Sequence, residues 1–452
     1  MSLRARALVA CVLTAGVALS ACGSRVASSS GTSGSAPSAT SGSSANTASD
    51  VGVSPSQITV GSIVGLTSGL GPDTFSASRF GAQAYFDSVN AQGGVNGRTI
   101  KFIVCDDKGS ANDNQACARK LVDDDKVFAL AGTSAFDYAG APYLNSKDVP
   151  DIAGQPIDNT YDRYSHMYGL YGSDYPRNNK APGFNGQLYG GTEQFQFLKQ
   201  KLGVKSAGIV YFNVGPSQRY AQFLASAAKA AGLNAVMEEI NLSLQNYTAA
   251  VLDMKSKGVD TIFDAMNDYG NINLCQAMAS QKMNIKAKVT TTQGWTDAIA
   301  NTFKAVPNCR SVMFATGSSQ NYDDPSKPGV SAFRDAINKL AQKPAVLNMW
   351  TLEGYVSAMW LTDAIRSCGA NVTHACVESF MNRPNGNYTA GGLITPRNFS
   401  HVDSPPATER SCINVARWAD SANSGAGGWV SQVPDMNANC FSGPNIGYPA
   451  SS

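Results

Sequence analysis

The chain has 452 residues, with 35 Lys+Arg against 33 Asp+Glu, and only 15% of its residues are charged. This balance leaves no basic surplus for nucleic-acid phosphates, and a hydrophobic content of 43% excludes a wholly disordered chain. The length predicts two or three domains.

In chain order, residues 1–21 read as an export signal: Arg4 and Arg6 precede a short apolar run from Ala7 to Val17, too short to span a membrane. The run ends in Leu19-Ser20-Ala21-Cys22, which resembles the lipobox of bacterial lipoproteins. That motif implies a thioether-linked lipid on Cys22 and a membrane anchor, since several acyl chains hold a protein stably. Removing the signal takes two Arg and no acid, so basic and acidic residues then balance. Residues 22–55, mostly Ser, Gly, Ala and Thr, read as a flexible tether with an r.m.s. reach of about 30 Å.

From Gln57 strands and helices alternate. A strand at Ile58–Val64 precedes a helix over about Ser76–Gln92, a strand at Thr99–Val104, a helix at Asn112–Asp124 and a strand at Val127–Ala131. The cycle recurs from Ala207 to Thr291. A long apolar helix runs from Leu347 to Arg366, and a Gly-rich, strand-like tail follows Gly391. Two such runs predict an α/β chain with two doubly wound parallel-sheet lobes. Asp123-Asp124-Asp125 reads as a solvated run and Asp106-Asp107 as a turn. Tyr171 to Gly191 reads as a loop, shaping a cleft rim or serving as a linker.

Apart from Cys11 in the signal and Cys22, the cysteines are Cys105, Cys117, Cys275, Cys309, Cys368, Cys376, Cys412 and Cys440. An even set in an exported chain predicts disulfides, and spacing suggests neighbours in sequence: 105–117, 275–309, 368–376 and 412–440. Metal-ligand spacing is absent and the chain has only 3 His, so no metal or other cofactor is expected.

The run Val89-Asn90-Ala91-Gln92-Gly93-Gly94-Val95-Asn96-Gly97-Arg98, then Val104-Cys105-Asp106-Asp107 and Cys117-Ala118-Arg119-Lys120-Leu121-Val122, resembles the leucine/branched-chain amino acid binding proteins of ABC importers. The resemblance covers roughly Gln57 to Val433 and implies the type I periplasmic binding fold. In it two lobes are joined by a three-strand hinge and close on a solute. It implies a first lobe of 56–174 and 320–390 and a second of 175–319 and 391–445. Crossovers then fall near Tyr168–Tyr175, Ala315–Ser319 and Leu393–Asn398.

The same resemblance implies the site. The loop after the strand ending at Ala131 would open a helix, and Ser134 with the Ala135 amide would hold a solute carboxylate at its N-terminus. Gln155 would touch the solute from the next loop and Tyr220 would cover it. Thr74 falls on an aromatic position. Asp268 or Tyr269 would replace a family tyrosine. The ammonium-binding glutamate falls on Gln293, which lacks the charge for that bond. Trp295 beside it offers a stacking face or a core side chain.

These features predict a lipid-anchored solute receptor outside the cytoplasm that hands a small amino acid-like or carboxylate molecule to an ABC permease. A sensor feeding a membrane signalling protein is the alternative. The G-x-S-x-G, H-E-x-x-H and P-loop patterns are absent, so no enzyme is expected.

Overall fold

The computed structural model describes residues 45–69, 75–384, 386–399 and 401–450. The export segment, Cys22, most of the Ser/Gly/Ala stretch and Thr74 lie outside them.

The first run of the chain gives β1 (Gln57–Val64), α1 (Ala77–Ala91), β2 (Thr99–Asp106), α2 (Ala111–Arg119), β3 (Ala129–Ala131), α3 (Ala141–Ser146), β4 (Asp151–Gly154) and β5 (Met167–Gly169). These strands form a parallel five-stranded sheet in the order β2-β1-β3-β4-β5. Ile58 and Val60 are fully buried, as expected of a strand covered on both faces.

The second run gives β6 (Gln187–Gly190), α4 (Glu193–Leu202), β7 (Ser206–Phe212), α5 (Gly215–Ala230), β8 (Asn234–Ile240), α6 (Tyr247–Ser256), β9 (Thr261–Ala265), α7 (Asp268–Ser280), β10 (Ala287–Thr290), α8 (Ile299–Thr302), α9 (Pro307–Arg310) and β11 (Met313–Gly317). The chain then returns through α10 (Pro328–Lys339), α11 (Met349–Ser367) and α12 (His374–Met381). It ends in β12 (Thr408–Cys412), β13 (Asn414–Ala419), β14 (Gly428–Ser431), β15 (Cys440–Pro444) and β16 (Ile446–Pro449). The second sheet has seven strands in the order β14-β13-β11-β10-β9-β7-β8, parallel except where β13 and β14 add antiparallel. Two further ribbons pair β12 with β15 and β16 with β6.

Helix α11 is buried along nearly its whole length, which its continuous apolar run requires. It crosses α1 at glycine. A Cβ on Gly81 would sit 1.8 Å from Thr351 O and one on Gly354 would sit 1.9 Å from Ser78 O, so only glycine permits this approach. Ser357 pins the helix to the first sheet by donating to Ile152 O at 2.6 Å and accepting from Gly132 N at 2.7 Å. This fixes Trp350 and Glu353 at one end of that sheet.

The segments read as crossovers are hydrogen-bonded to one another. Gln320 N donates to Leu393 O at 2.7 Å, Thr395 N to Ser318 O at 2.8 Å and Ser173 N to Asn398 O at 3.0 Å. The disulfides join Cys105–Cys117, Cys275–Cys309, Cys368–Cys376 and Cys412–Cys440, the sequence neighbours suggested by spacing.

One boundary needs correction. The end of the segment assigned to the tether is docked, not free. Asn46 Nδ2 donates to Asn96 O at 2.8 Å, Ser49 Oγ to Val372 O at 2.6 Å and His374 N to Asp50 Oδ2 at 2.8 Å. The cause is Arg98, a fully buried guanidinium that needs acceptors and takes Thr47 O at 3.0 Å, Ser54 O at 2.9 Å and Ala370 O at 2.6 Å.

Candidate functional site

A cavity of about 690 Å³ is lined by loops at the carboxyl ends of parallel strands from both sheets, the position at which open α/β sheets take ligands. Its wall comes from loops that follow strands. Gln155–Asp158 follow β4, Gly169–Tyr175 end and follow β5, Ala265–Asn267 end and follow β9, and Thr291–Gln293 follow β10. The stretch read as rim or linker thus supplies wall, with Tyr171, Tyr175 and Tyr189 on the cavity.

One end of the cavity is aromatic. Phe75 packs on Phe136 with centroids 5.7 Å apart and on Trp350 at 5.6 Å, and all of them line the space. The Trp350 indole N–H donates to Thr292 Oγ1 at 3.2 Å, joining α11 to the loop after β10.

Behind this wall lies Glu353, fully buried on α11. Gln155 Nε2 donates to its Oε2 at 2.8 Å, while Ser319 Oγ at 2.8 Å and Tyr171 OH at 3.1 Å donate to its Oε1. Burial pushes the carboxyl up to about 7, with those hydrogen bonds pulling the other way.

The other end is polar. Arg219 donates to Ile157 O at 3.0 Å and to Ala450 O at 3.1 Å, so this α5 side chain ties the loop after β4 to the C-terminal segment. Arg397 lines the cavity, and its Nε has no hydrogen-bond partner among the described residues. Asp162 accepts from Ser173 Oγ at 3.3 Å, and burial raises its carboxyl to about 7. Asp174 and Glu409 also face the space. Tyr448 closes it from β16.

Of the residues expected from sequence, Gln155, Tyr220 and Gln293 line this cavity. Tyr220 leans on Phe223, which packs on Tyr448. Ser134 and Ala135 are buried and do not line it. The helix expected to open at Ser134 begins only at Ala141. Ser134 instead extends the sheet, with its N–H donating to Ile63 O at 2.9 Å. Pro142 explains the shift: without an N–H it fits only the first turn of a helix. No helix N-terminus therefore stands at Ser134. Asp268 opens α7 but does not line the cavity. Its neighbour Asn267 does, and caps α7 by accepting from Gly270 N at 3.0 Å. Tyr269 is 68% exposed, and Trp295 is a core side chain packed on Trp429.

Trp350, Glu353, Arg397 and Tyr448 were not anticipated. A lone acid inside a buried apolar helix was the available signal for Glu353. Tyr448 reaches the cavity through the long-range pairing of β16 with β6, which local pattern does not encode, and Arg397 lies on the crossover expected at Leu393–Asn398 without a site role having been read for it.

The raised carboxyls give the stability an unusual pH dependence. Burial lifts Asp162, Glu193 and Glu353 to about 7, whereas unfolded carboxyls titrate near about 4. Between those values the folded state holds more protons than the unfolded one, so stability falls as pH rises through the window and is level above it. The Glu378 hydrogen bond raises His166, which acts in the same direction. Calorimetry should therefore give a higher Tm at pH 5.5 than at pH 8; a Tm falling on acidification across that range contradicts the assignment.

A family model described as periplasmic binding protein matches residues 57–423. The chain is 23% identical over 335 residues to an amino acid binding protein of Pseudomonas aeruginosa, covering 70% of this chain and 81% of the relative. Its fold is similar to a fatty acid ABC transporter substrate-binding protein from Thermomonospora curvata, with TM-score 0.64, 18% identity and coverage of 86% of this chain and 95% of that one. It is equally similar to an ABC transporter solute-binding protein from R. palustris in complex with 4-hydroxybenzoate, with TM-score 0.64, 15% identity and coverage of 85% and 97%.

Proposed function

Because the chain belongs to the periplasmic binding protein family, whose members bind solutes rather than transform them, we propose that it captures a small amino acid-like or carboxylate solute outside the cytoplasm and delivers it to an ABC permease. The observation that carries this reading is the cavity itself. At about 690 Å³, with an aromatic end and a few polar groups, it has the size and lining of a small-molecule site. Two lobes, 56–174 with 320–390 and 175–319 with 391–445, close on the solute. The hydrogen bonds among the segments at 173, 318–320 and 393–398 support a shared hinge there. The Trp350–Thr292 and Arg219–Ile157 bonds then act as latches of the closed form. Cys22 carries the lipid anchor, supported by the Leu19-Ser20-Ala21-Cys22 motif.

The test is a binding screen on residues 45–452 with amino acids, amides and aromatic or aliphatic acids. A ligand at a thousandfold excess over Kd adds about 4 kcal/mol of stability, read as a rise in Tm. The best ligand should bind at least about tenfold more weakly to Gln155→Ala, a loss of roughly 1.4 kcal/mol. A best ligand unaffected by that change would move the site elsewhere. Cys22→Ser in the full chain should release the protein from membranes.

A further inference from the structure

We infer that Glu353 sets the polarity of the cavity by fixing the side-chain amide of Gln155, so that the solute meets Gln155 with a hydrogen-bond donor, an ammonium or N–H group, and not with a carboxylate. The inference rests on the solute-binding reading of this cavity.

The geometry is specific. Glu353 is fully buried, and its oxygens are divided between donors from separate segments. Tyr171, after β5, and Ser319, after β11, both donate to Oε1, which leaves Oε2 for Gln155. At pH 8, above the value of about 7 to which burial raises it, the Glu353 carboxyl is ionised and only accepts, so Gln155 turns its NH₂ towards it. The planar amide then presents Oε1 on its opposite side. Gln155 lines the cavity, and the side-chain hydrogen bond it makes to a described residue runs from Nε2 to Glu353, leaving Oε1 for the cavity. A bound solute therefore meets an acceptor at this point. A carboxylate placed there faces a carbonyl oxygen, with a second carboxylate behind it, and loses its own hydrogen bonds to water.

The charge of the wall points the same way. Asp158, Asp174 and Glu409 face the space against Arg219 and Arg397, and Asp162, raised to about 7 by burial, adds its charge above that pH. The Arg219 guanidinium is engaged by two backbone carbonyls. Acids outnumber bases, so the local field favours a cationic group. The Trp350 ring adds to that preference, while Arg397 already stands over the Tyr171 ring at 6.0 Å. Gln293, which also lines the cavity, supplies no charge of its own.

The consequence for a variant is sharp. In Glu353→Gln the side-chain oxygen stays where Tyr171 and Ser319 donate, and the new NH₂ takes the position of Oε2. It must donate, so Gln155 turns its carbonyl inward and shows NH₂ to the cavity. The preference for a donor on the solute then becomes a preference for an acceptor.

The experiment uses three probes with one aromatic body, 3-phenylpropylamine, L-phenylalanine and 3-phenylpropionate, titrated calorimetrically into the folded chain at pH 8. The wild-type protein should bind the two amines at least about tenfold more tightly than 3-phenylpropionate, and in Glu353→Gln that ratio should shrink or invert. A merely structural role for Glu353 would weaken all three alike, and that result overturns the inference. Equal or tighter binding of 3-phenylpropionate by the wild type also overturns it, as does failure of both amines to bind. If 3-phenylpropionate alone binds and Trp350→Ala weakens it, the solute-binding reading stands and only the polarity assignment falls. Should Glu353→Gln not fold, Gln155→Met gives the answer: it keeps the side-chain volume, removes the acceptor, and should abolish the preference for the amines.

Discussion

Trp350→Ala is expected to lower both stability and solute affinity, and by more than any other single change on the cavity wall. Trp350 occupies the first turn of α11, 6% exposed, and packs on Phe75. Truncating a buried tryptophan costs about 3–5 kcal/mol, the spread reflecting how far the site collapses. The lower end is expected here because one face of the indole borders an existing cavity. Removing the aromatic end should also weaken the best solute by about tenfold to a hundredfold, in line with losing a buried aromatic contact. Trp350→Phe separates the effects. It keeps most of the ring packing and loses the bond to Thr292 Oγ1, at a cost of roughly 1 kcal/mol. Urea unfolding and calorimetric titration of both variants check this. Unchanged affinity in Trp350→Ala would mean that the solute does not reach the aromatic end.

Much of this fold is legible in the sequence, and the boundary of legibility has physical causes. Helix α1 ends where Gly93-Gly94 follows it, and both glycines take positive φ. Helix α11 spans the apolar run read for it. Each disulfide joins cysteines close in sequence, so short-range spacing was enough. The Ser134 loop shows the opposite case. Family pattern argued for a helix there, while Pro142 in the chain already opposed it. The site itself was half legible. Gln155 and Gln293 sit on loops that follow predicted strands, and Tyr220 sits in the first turns of the helix after β7, where topology alone puts ligands. Glu353 was hidden because helix periodicity counts apolar residues and passes over a buried acid. Tyr448 was hidden because β16 meets β6 across more than half the chain, and register over that distance has no local signature.

The second large effect concerns a charge pair under the cavity floor. Lys288 of β10 and Asp264 of β9 are buried neighbours in the seven-stranded sheet and form an ion pair. Asp264 Oδ1 also accepts from Asn271 Nδ2 at 3.0 Å and from Met266 N at 3.4 Å. Lys288→Ala leaves that carboxylate buried without its cation, which should destabilise the protein by about 3–5 kcal/mol. The double replacement Lys288→Met with Asp264→Leu removes both charges and refills the volume, so most of that loss should return. Binding should not return with it. Ala265, Met266 and Asn267 follow Asp264 directly and form cavity wall, and the double variant lacks the carboxylate that holds Met266 N and Asn271. The expected result is near-native stability by urea unfolding with solute affinity still reduced several-fold. Full recovery of affinity would show that the pair only neutralises itself; persistent loss in a stable protein shows that a buried charge was retained to shape the loop above it.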